Sequence, residues 1–573
     1  MIRLDSKAKN ICVYLIPLTA ALLARIILFS NWLESPFRYY HKISGLDMKT
    51  VLAFAESFCH GGAEFSNYKF FYWTILTAGG GITALIACQY LLGILTALLI
   101  TFITLGVFRN RTAAVISGTF AALYSPELMY ESMTLIESVF VFTSALSLAA
   151  IVRQSQKPDS KAWLFIAGFA AVLPSLGRFS GILWTLCAIV FVIWMNLRHA
   201  RKTTLRIPTA PICIPLIGLV AALLPVTIFN AITVSSLNPI PALPRSGYVL
   251  KAGADVNFTS HSTPPNPARS GSSGITRKAG NYAEKFLSLF KAYEIPDNLN
   301  YYFVREFLKP LNHLAGPLFL LPFASLGILI LLYQRRFKGR TGLLFLYLIA
   351  FAIPMTVFIP FGRYRLILLP VFCASAGYAI VFILSNVQHF QKKYVTVLVL
   401  TAAYSVLFFF ASPSSINLRA EDFVGYGNAM EIAGGYDSKA ISDCFRTAYD
   451  MNPSSASAVI HYANSLMKNS EFKEAESVLG ILLKDNPSNP TVAINYASSL
   501  LGTGKPAEAE KLLKGIPEPE SRNGKVNYYY QLGESRRMQG RNSEARLCYE
   551  LALLYSDTDA QKNIVMKVMK GMK

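Results

Sequence analysis

The chain alternates long apolar blocks with short polar connections over its first two thirds, and then changes character. The blocks fall at 11–31, 83–108, 112–126, 132–152, 162–177, 181–197, 212–236, 313–333, 341–360, 366–386 and 394–411. A membrane helix needs about 20 predominantly apolar residues. The pattern therefore predicts about eleven spans, several of them near the minimum length. Beyond 412 the apolar runs shorten and Lys, Glu, Asn and Ser become common. The predicted fold class is all-α: a polytopic transmembrane domain over 1–411, followed by a helical domain over 412–573.

The second region carries a period. Asn452-Pro453 and Asn486-Pro487 stand 34 residues apart, as do Tyr462 and Tyr496, Leu466 and Leu500, and Ala475 and Ala509. A slightly shifted third copy holds Leu532-Gly533, Ala545 and Tyr549, and a degenerate copy precedes at Ala440 to Pro453. A 34-residue period with small residues where paired helices touch is the signature of tetratricopeptide (TPR) repeats. Such repeats stack into an α-solenoid whose concave surface binds peptides or proteins. A protein partner is expected there, and no chemistry.

Composition agrees with the pattern: 53% of the 573 residues are hydrophobic and only 15% charged. The formal net charge of +21 does not imply nucleic acid, because no nucleic-acid motif accompanies it and much of the excess lies in short loops between apolar blocks. The eight cysteines are scattered, with no CxxC pair, so neither a disulfide nor a metal framework is expected. Arg3, Lys7 and Lys9 precede the first apolar run without a small-residue cleavage site, which reads as an uncleaved first span. Arg25 lies inside that span and requires a partner or an aqueous cavity.

Loop charge predicts sidedness. Arg109 and Arg111; Arg153, Lys157 and Lys161; Arg198, Arg201, Lys202 and Arg206; Arg335, Arg336, Lys338 and Arg340; and Lys392 and Lys393 share one side with the N-terminus. The positive-inside rule makes that side cytoplasmic. The opposite face receives the loop 32–82, the tip Ser125-Pro126-Glu127, Arg178, the long loop 237–312, the turn Phe361 to Arg365, and everything after 412. The unusual polar residues thus converge on the outer face, away from cytoplasmic nucleotide sugars. A bacterial inner membrane with a periplasmic repeat domain fits this arrangement.

Several residues on that face are candidates for chemistry. Asp47 opens a short helical stretch running to about Cys59, and its spacing from Ser44 also suits a helix cap. Glu137 sits near the outer end of the fourth span, where an ionised carboxylate needs pairing or hydration, or snorkels to the interface. Glu127 and Glu131 are four apart and share a helical face. Arg178, Arg363 and Arg365 break the positive-inside pattern; guanidinium forks suit phosphate oxygens, and lipid headgroups equally. Lys69 lies beside aromatics in Asn67 to Trp73, where Tyr72 and Trp73 also read as an aromatic belt. Tyr293 to Asn298, followed by Tyr301, Tyr302 and Phe303, forms a polar–aromatic segment suited to a sugar or a headgroup. Outward carboxylates with outward cations fit transfer from a lipid-linked phosphosugar: a base for the acceptor hydroxyl and cations for the leaving phosphate. No Gly-rich phosphate loop, HExxH or GxSxG favours another chemistry.

At these residues the chain resembles the GT-C membrane glycosyltransferases, the branch of protein O-mannosyltransferases and bacterial aminoarabinose transferases. Asp47 matches the family's acidic residue in the first outer loop, and Lys69 to Trp73 its Lys–aromatic stretch. Gln89-Tyr90-Leu91-Leu92-Gly93 matches its next helix. Tyr124-Ser125-Pro126 through Glu131 to Glu137-Ser138 is similar to the segment that carries its second acidic residue. Gly177-Arg178-Phe179-Ser180-Gly181 resembles its Arg-Pro-x-Gly turn with Phe179 in place of Pro, and Arg363-Tyr364-Arg365-Leu366 resembles its late outer turn. The resemblance spans roughly residues 10–385. It implies an inverting transferase using a polyprenyl-phosphate sugar, undecaprenyl or dolichyl, and a protein or glycolipid acceptor. In it Asp47 and Glu137 are catalytic, and Lys69, Tyr72, Glu131, Arg178, Arg363 and Arg365 bind substrate. A divalent metal, Mg or Mn, held by Asp47 and Glu137 is open. Two rivals remain. One is an O-antigen ligase- or polymerase-like enzyme using Arg245, His261, Arg269, Arg277, Lys278 and Arg305 of the long loop. The other is a non-enzymatic TPR membrane scaffold.

Overall fold

The computed structural model describes residues 6–60, 64–201, 209–238, 275–358, 361–386 and 418–572. Twenty-five α-helices and no strand occur among them, in two compact units, Met1–Asn417 and Leu418–Lys573.

The first unit begins with α1 (Ser6–Glu34), α2 (Asp47–Glu56), α3 (Asn67–Thr77), α4 (Gly81–Phe108), α5 (Arg111–Leu123), α6 (Ser125–Glu131), α7 (Glu137–Gln156), α8 (Lys161–Val172), α9 (Gly181–Ala200) and α10 (Ala210–Val234). It continues with α11 (Ile275–Ser288), α12 (Tyr301–Phe307), α13 (Pro317–Tyr333), α14 (Gly339–Val357), α15 (Gly362–Arg365) and α16 (Leu369–Asn386). Among the described residues, seven helical stretches are long and apolar enough to cross a membrane: Cys12–Glu34, Gly81–Phe108, Glu137–Gln156, Gly181–Ala200, Ala210–Val234, Gly339–Val357 and Gly362–Ser385. The chain is a polytopic membrane protein by that measure. Ten of the eleven expected apolar blocks are helices here; the eleventh, 394–411, lies outside the described residues. Three of the ten are short: α5 has 13 residues, α8 has 12 and α13 has 17. At about 1.5 Å per residue they reach less than the roughly 30 Å of a hydrocarbon core.

Between α6 and α7 the helix is broken over residues 132–136, and the break is buried. A buried break leaves carbonyls that water cannot satisfy. Side chains of α3 and α4 take their place. Gln89 Nε2 donates to the carbonyls of Glu131 (2.7 Å) and Met133 (2.8 Å). The Tyr72 hydroxyl lies against the Leu135 carbonyl at 2.5 Å and against Gln89 Oε1. Tyr90 and Ser132 share a hydroxyl hydrogen bond of 2.8 Å. The break is therefore a fixed feature, and α7 starts anew at Glu137.

The second unit comprises α17 (Ala420–Ala433), α18 (Ser438–Met451), α19 (Ala456–Lys468), α20 (Phe472–Asp485), α21 (Pro490–Gly502), α22 (Pro506–Lys514), α23 (Arg522–Met538), α24 (Asn542–Tyr555) and α25 (Asp559–Gly571). Consecutive helices pair as the 34-residue period requires. The matched positions are interior: Ala475, Ala509 and Ala545 are fully buried, and Leu466 and Leu500 nearly so. Asn452 and Asn486 end α18 and α20, while Ser455 and Asn489 cap the helices that follow. The degenerate copy at Ala440 to Pro453 falls on α18, which packs against α17.

Candidate functional site

The site is built on two carboxylates that each open a helix. Asp47 is the first residue of α2, and its N-cap, Leu46, makes no side-chain cap. The expected Ser44 cap does not form, because the Ser44 hydroxyl accepts from Lys49 Nζ at 2.9 Å. Glu137 is the first residue of α7, again behind an apolar N-cap, Ile136. At such a position the free backbone N–H groups and the helix dipole favour a negative charge. Glu137 is almost wholly buried, whereas the Asp47 side chain is 46% exposed.

Arg363 joins them. Its Nη1 donates to Asp47 Oδ2 at 2.8 Å, and its Nε lies 3.9 Å from Glu137 Oε1. Its Nη2 pairs with Asp297 Oδ2 at 2.6 Å and donates to the Tyr364 hydroxyl at 3.1 Å. Arg178 pairs with Glu137 Oε1 at 2.8 Å from the other side. The two guanidiniums share one aromatic ring: Arg178 stands 4.4 Å and Arg363 5.0 Å from the Tyr364 ring centroid. The cluster thus holds three carboxylates and two guanidiniums, drawn from α2, α7, the turn before α9, the segment before α12, and α15. Glu137 Oε2, an acceptor, and Arg363 Nε, a donor, are among its buried polar atoms that make no hydrogen bond. Chemically the arrangement can hold an anion, orient a hydroxyl and accept a proton.

Of the eight expected site residues, four come together and four stand apart. Asp47, Glu137, Arg178 and Arg363 meet. Arg365 does not face this cluster; it is buried against Glu294 at 2.5 Å and against the Lys291 carbonyl. Tyr124 also donates to Glu294, at 3.2 Å. Glu131 is likewise taken, in a two-point pair with Arg25 (2.7 and 2.9 Å). That pair is the partner the first span required. It sits in a notch at Gly93, where a Cβ would lie 1.9 Å from Glu131 Oε1. Glu127 is buried beside it; burial, then the Glu131 charge, push its carboxyl well above the usual range. Tyr72 is spent on the helix break. Lys69 donates to the Glu64 carbonyl at 2.9 Å and stands over the Phe54 ring, and burial lowers its ammonium below the ordinary value. Arg305 of the rival loop reading donates to Asn312 at 2.6 Å. Arg245, His261 and Arg269 lie outside the described residues, as do the side chains of Arg277 and Lys278.

Asp297 was not singled out by sequence reasoning, although its segment was. The signal available was an acid within an outer polar–aromatic run. As for a metal, Asp47 and Glu137 both face Arg363, and no group of three or more His, Cys, Asp and Glu gathers as a ligand set among the described residues. In this arrangement their negative charge is met by guanidinium, so the residues do not form a metal cradle.

Comparison with known proteins adds the following. The tetratricopeptide repeat family matches residues 466–527, so the second unit carries TPR repeats. No curated protein sequence matches the chain. Among solved structures, the chain is similar to ArnT from Cupriavidus metallidurans bound to undecaprenyl phosphate, at 14% identity and TM-score 0.40, over 88% of this chain and 81% of that one. It is also similar to an oligosaccharyltransferase from Archaeoglobus fulgidus, at 13% identity and TM-score 0.38, over 76% and 60%. The protein MamA MSR-1 C2 is similar over 27% of this chain and 86% of its own, at 15% identity and TM-score 0.20.

Proposed function

We propose that this protein is a membrane glycosyltransferase of the GT-C type. It moves a sugar from a polyprenyl-phosphate donor to a protein or glycolipid acceptor on the extracytoplasmic face. The observation that carries the reading is the convergence of Asp47, Glu137 and Arg178 on or beside Arg363, from segments hundreds of residues apart. The ordered resemblance of residues 10–385 to the family points the same way. Convergence of the first outer loop, the start of α7, the turn after α8 and the turn before α16 at one end of the bundle supports the sidedness drawn from loop charge.

In this reading Asp47 takes the proton of the acceptor hydroxyl as its oxygen attacks the anomeric carbon. The bond from that carbon to the phosphate oxygen breaks on the opposite face, so configuration inverts. Arg363 and Arg178 hold the charge that develops on the departing phosphate. Glu137 Oε2, the unused acceptor, orients the incoming hydroxyl. Lys69 serves the donor at the rim, and Arg365 holds the segment that bears Asp297. The TPR unit recruits a protein acceptor or partner; bacterial inner membrane and periplasm are the proposed compartments.

Asp47→Asn tests this. Losing a general base removes about 10²–10⁴-fold of the rate. Mass spectrometry of cellular glycans is expected to show the product lost while the variant stays in the membrane at wild-type level. Near-normal transfer would overturn the assignment. A scaffold would tolerate Ala at Asp47 and Glu137. A ligase would use a lipid-linked glycan where this reading requires a lipid-linked monosaccharide.

A further inference from the structure

The two aspartates on Arg363 differ in how firmly they are themselves held. Asp297 belongs to a segment tied down at several points. Gly362 N donates to the Ile295 carbonyl at 3.0 Å, and Asp297 N to the Leu299 carbonyl at 3.3 Å. Glu294 N donates to the Tyr302 hydroxyl at 3.1 Å, and the Glu294 carboxylate is pinned by buried Arg365. Asp297 is 19% exposed. Asp47 is 46% exposed and opens α2 uncapped. It follows Gly45, whose φ of +90° permits the turn and around which a Cβ would meet nothing. Beside these two anions Arg363 keeps its Nε donor unused, within a site where Glu137 Oε2 is also unused. An arginine with one anion on a tied segment, one on an uncapped helix and one spare donor is equipped to exchange the second partner.

We infer that Asp47 stands in for the donor phosphate on Arg363, and that Asp297 anchors Arg363 when Asp47 gives way. The inference rests on the phosphate reading of Arg363 above and adds Asp297 to the site as a positioning residue. When the donor enters, a phosphate oxygen takes the Nη1 donor that Asp47 vacates. The ion pair of Asp47 is exchanged for that of the phosphate, and no bond is made or broken. Released from Arg363, Asp47 Oδ2 is left open to the acceptor hydroxyl. The base is therefore available only while a donor is bound. Asp297 stays on Nη2 throughout and keeps the guanidinium plane from following Asp47 away.

The test is binding of sugar-free undecaprenyl phosphate to the full-length protein in nanodiscs, with undecaprenol as control lipid. Wild type is expected to bind the phosphate and not the alcohol. Asp47→Asn is expected to tighten binding about two- to fivefold, the range of a partly exposed ion pair. Asp297→Asn is expected to weaken it about three- to tenfold, with Asp297→Glu recovering part of the loss. Arg363→Gln is expected to remove most of the affinity. Simple charge removal would tighten both Asn variants, since each deletes a negative charge near an anion; the opposite signs belong to exchange and anchoring. Equal binding of phosphate and alcohol by wild type overturns the phosphate reading itself. Phosphate binding by wild type with both Asn variants moving in one direction, or neither moving, overturns the exchange and leaves that reading standing. If Asp297→Asn fails to accumulate, Asp47→Asn decides alone, and unchanged or weakened binding overturns the proposal.

Discussion

The two units use charge in opposite ways. Residues 418–573 carry 19 Lys and Arg against 19 Asp and Glu, so the whole net charge of +21 belongs to residues 1–417. In the repeat unit many ion pairs join residues one helical turn apart at the surface, such as Arg446 with Asp450 and Arg546 with Glu550. In the membrane unit acids are scarce. Those that pair with arginine do so with partners far away in sequence: Glu131 with Arg25, Glu294 with Arg365, and Asp47 with Arg363. Surface pairs one turn apart are worth tenths of a kcal/mol, whereas an orphaned buried charge is costly. The lesson is that scarcity of charge in the membrane unit raises the consequence of each one.

Breaking the deepest pair is the strongest challenge to that contrast. Arg25→Met leaves Glu131 buried and uncompensated, and is expected to cost about 3–5 kcal/mol. Thermal unfolding in detergent checks this, and Arg25→Met with Glu131→Met together should regain most of it. Next comes packing in the repeats. A Cβ at Gly502 would lie 2.0 Å from the Phe472 ring, so Gly502→Ala should lower the stability of the repeat unit by about 1–3 kcal/mol, read by its melting transition while membrane insertion is unchanged. A titration is weaker. Burial lowers the His461 imidazole below its ordinary value of 6.5, opposed by Glu431. The unfolded chain then takes up the proton first, so repeat-unit stability falls as pH drops through about 6.5. His461→Gln should flatten that slope in melts between pH 5 and pH 8. The smallest effect is Asp450→Asn, expected within about 0.5 kcal/mol in the same melt. A larger loss would erase the contrast between the units.

How much of this was legible in sequence follows from the same physics. Hydropathy located ten helical blocks, because a membrane demands continuous apolar length. The 34-residue period located the repeats, because stacked helices need small residues at fixed spacing. Asp47, Glu137, Arg178 and Arg363 were singled out as charges on the outer side, and Asp47 with Arg363 is a contact across 316 positions that no local pattern announces. Local reading misled where one residue type admits two environments. Arg365 and Arg363 are two apart, yet one is buried under Glu294 and the other reaches Asp47. Glu131 and Glu137 look alike on paper, and only the helix break between them separates an interior pair from the site. Asp297 stayed hidden because its role depends on a segment folded back against α15.

The helix break between α6 and α7 has one more consequence. Gln89 grips both of its carbonyls, so the carboxylate that begins α7 is a fixed jaw, bolted to the transmembrane scaffold. In the proposed exchange Asp47, on a short helix behind a glycine turn, is the moving jaw, and Arg363 is the screw between them. A clamp of that kind sets its gauge from the fixed side. Under the proposed transferase activity, substitutions that loosen Gln89 should therefore blur which acceptors are taken before they slow transfer.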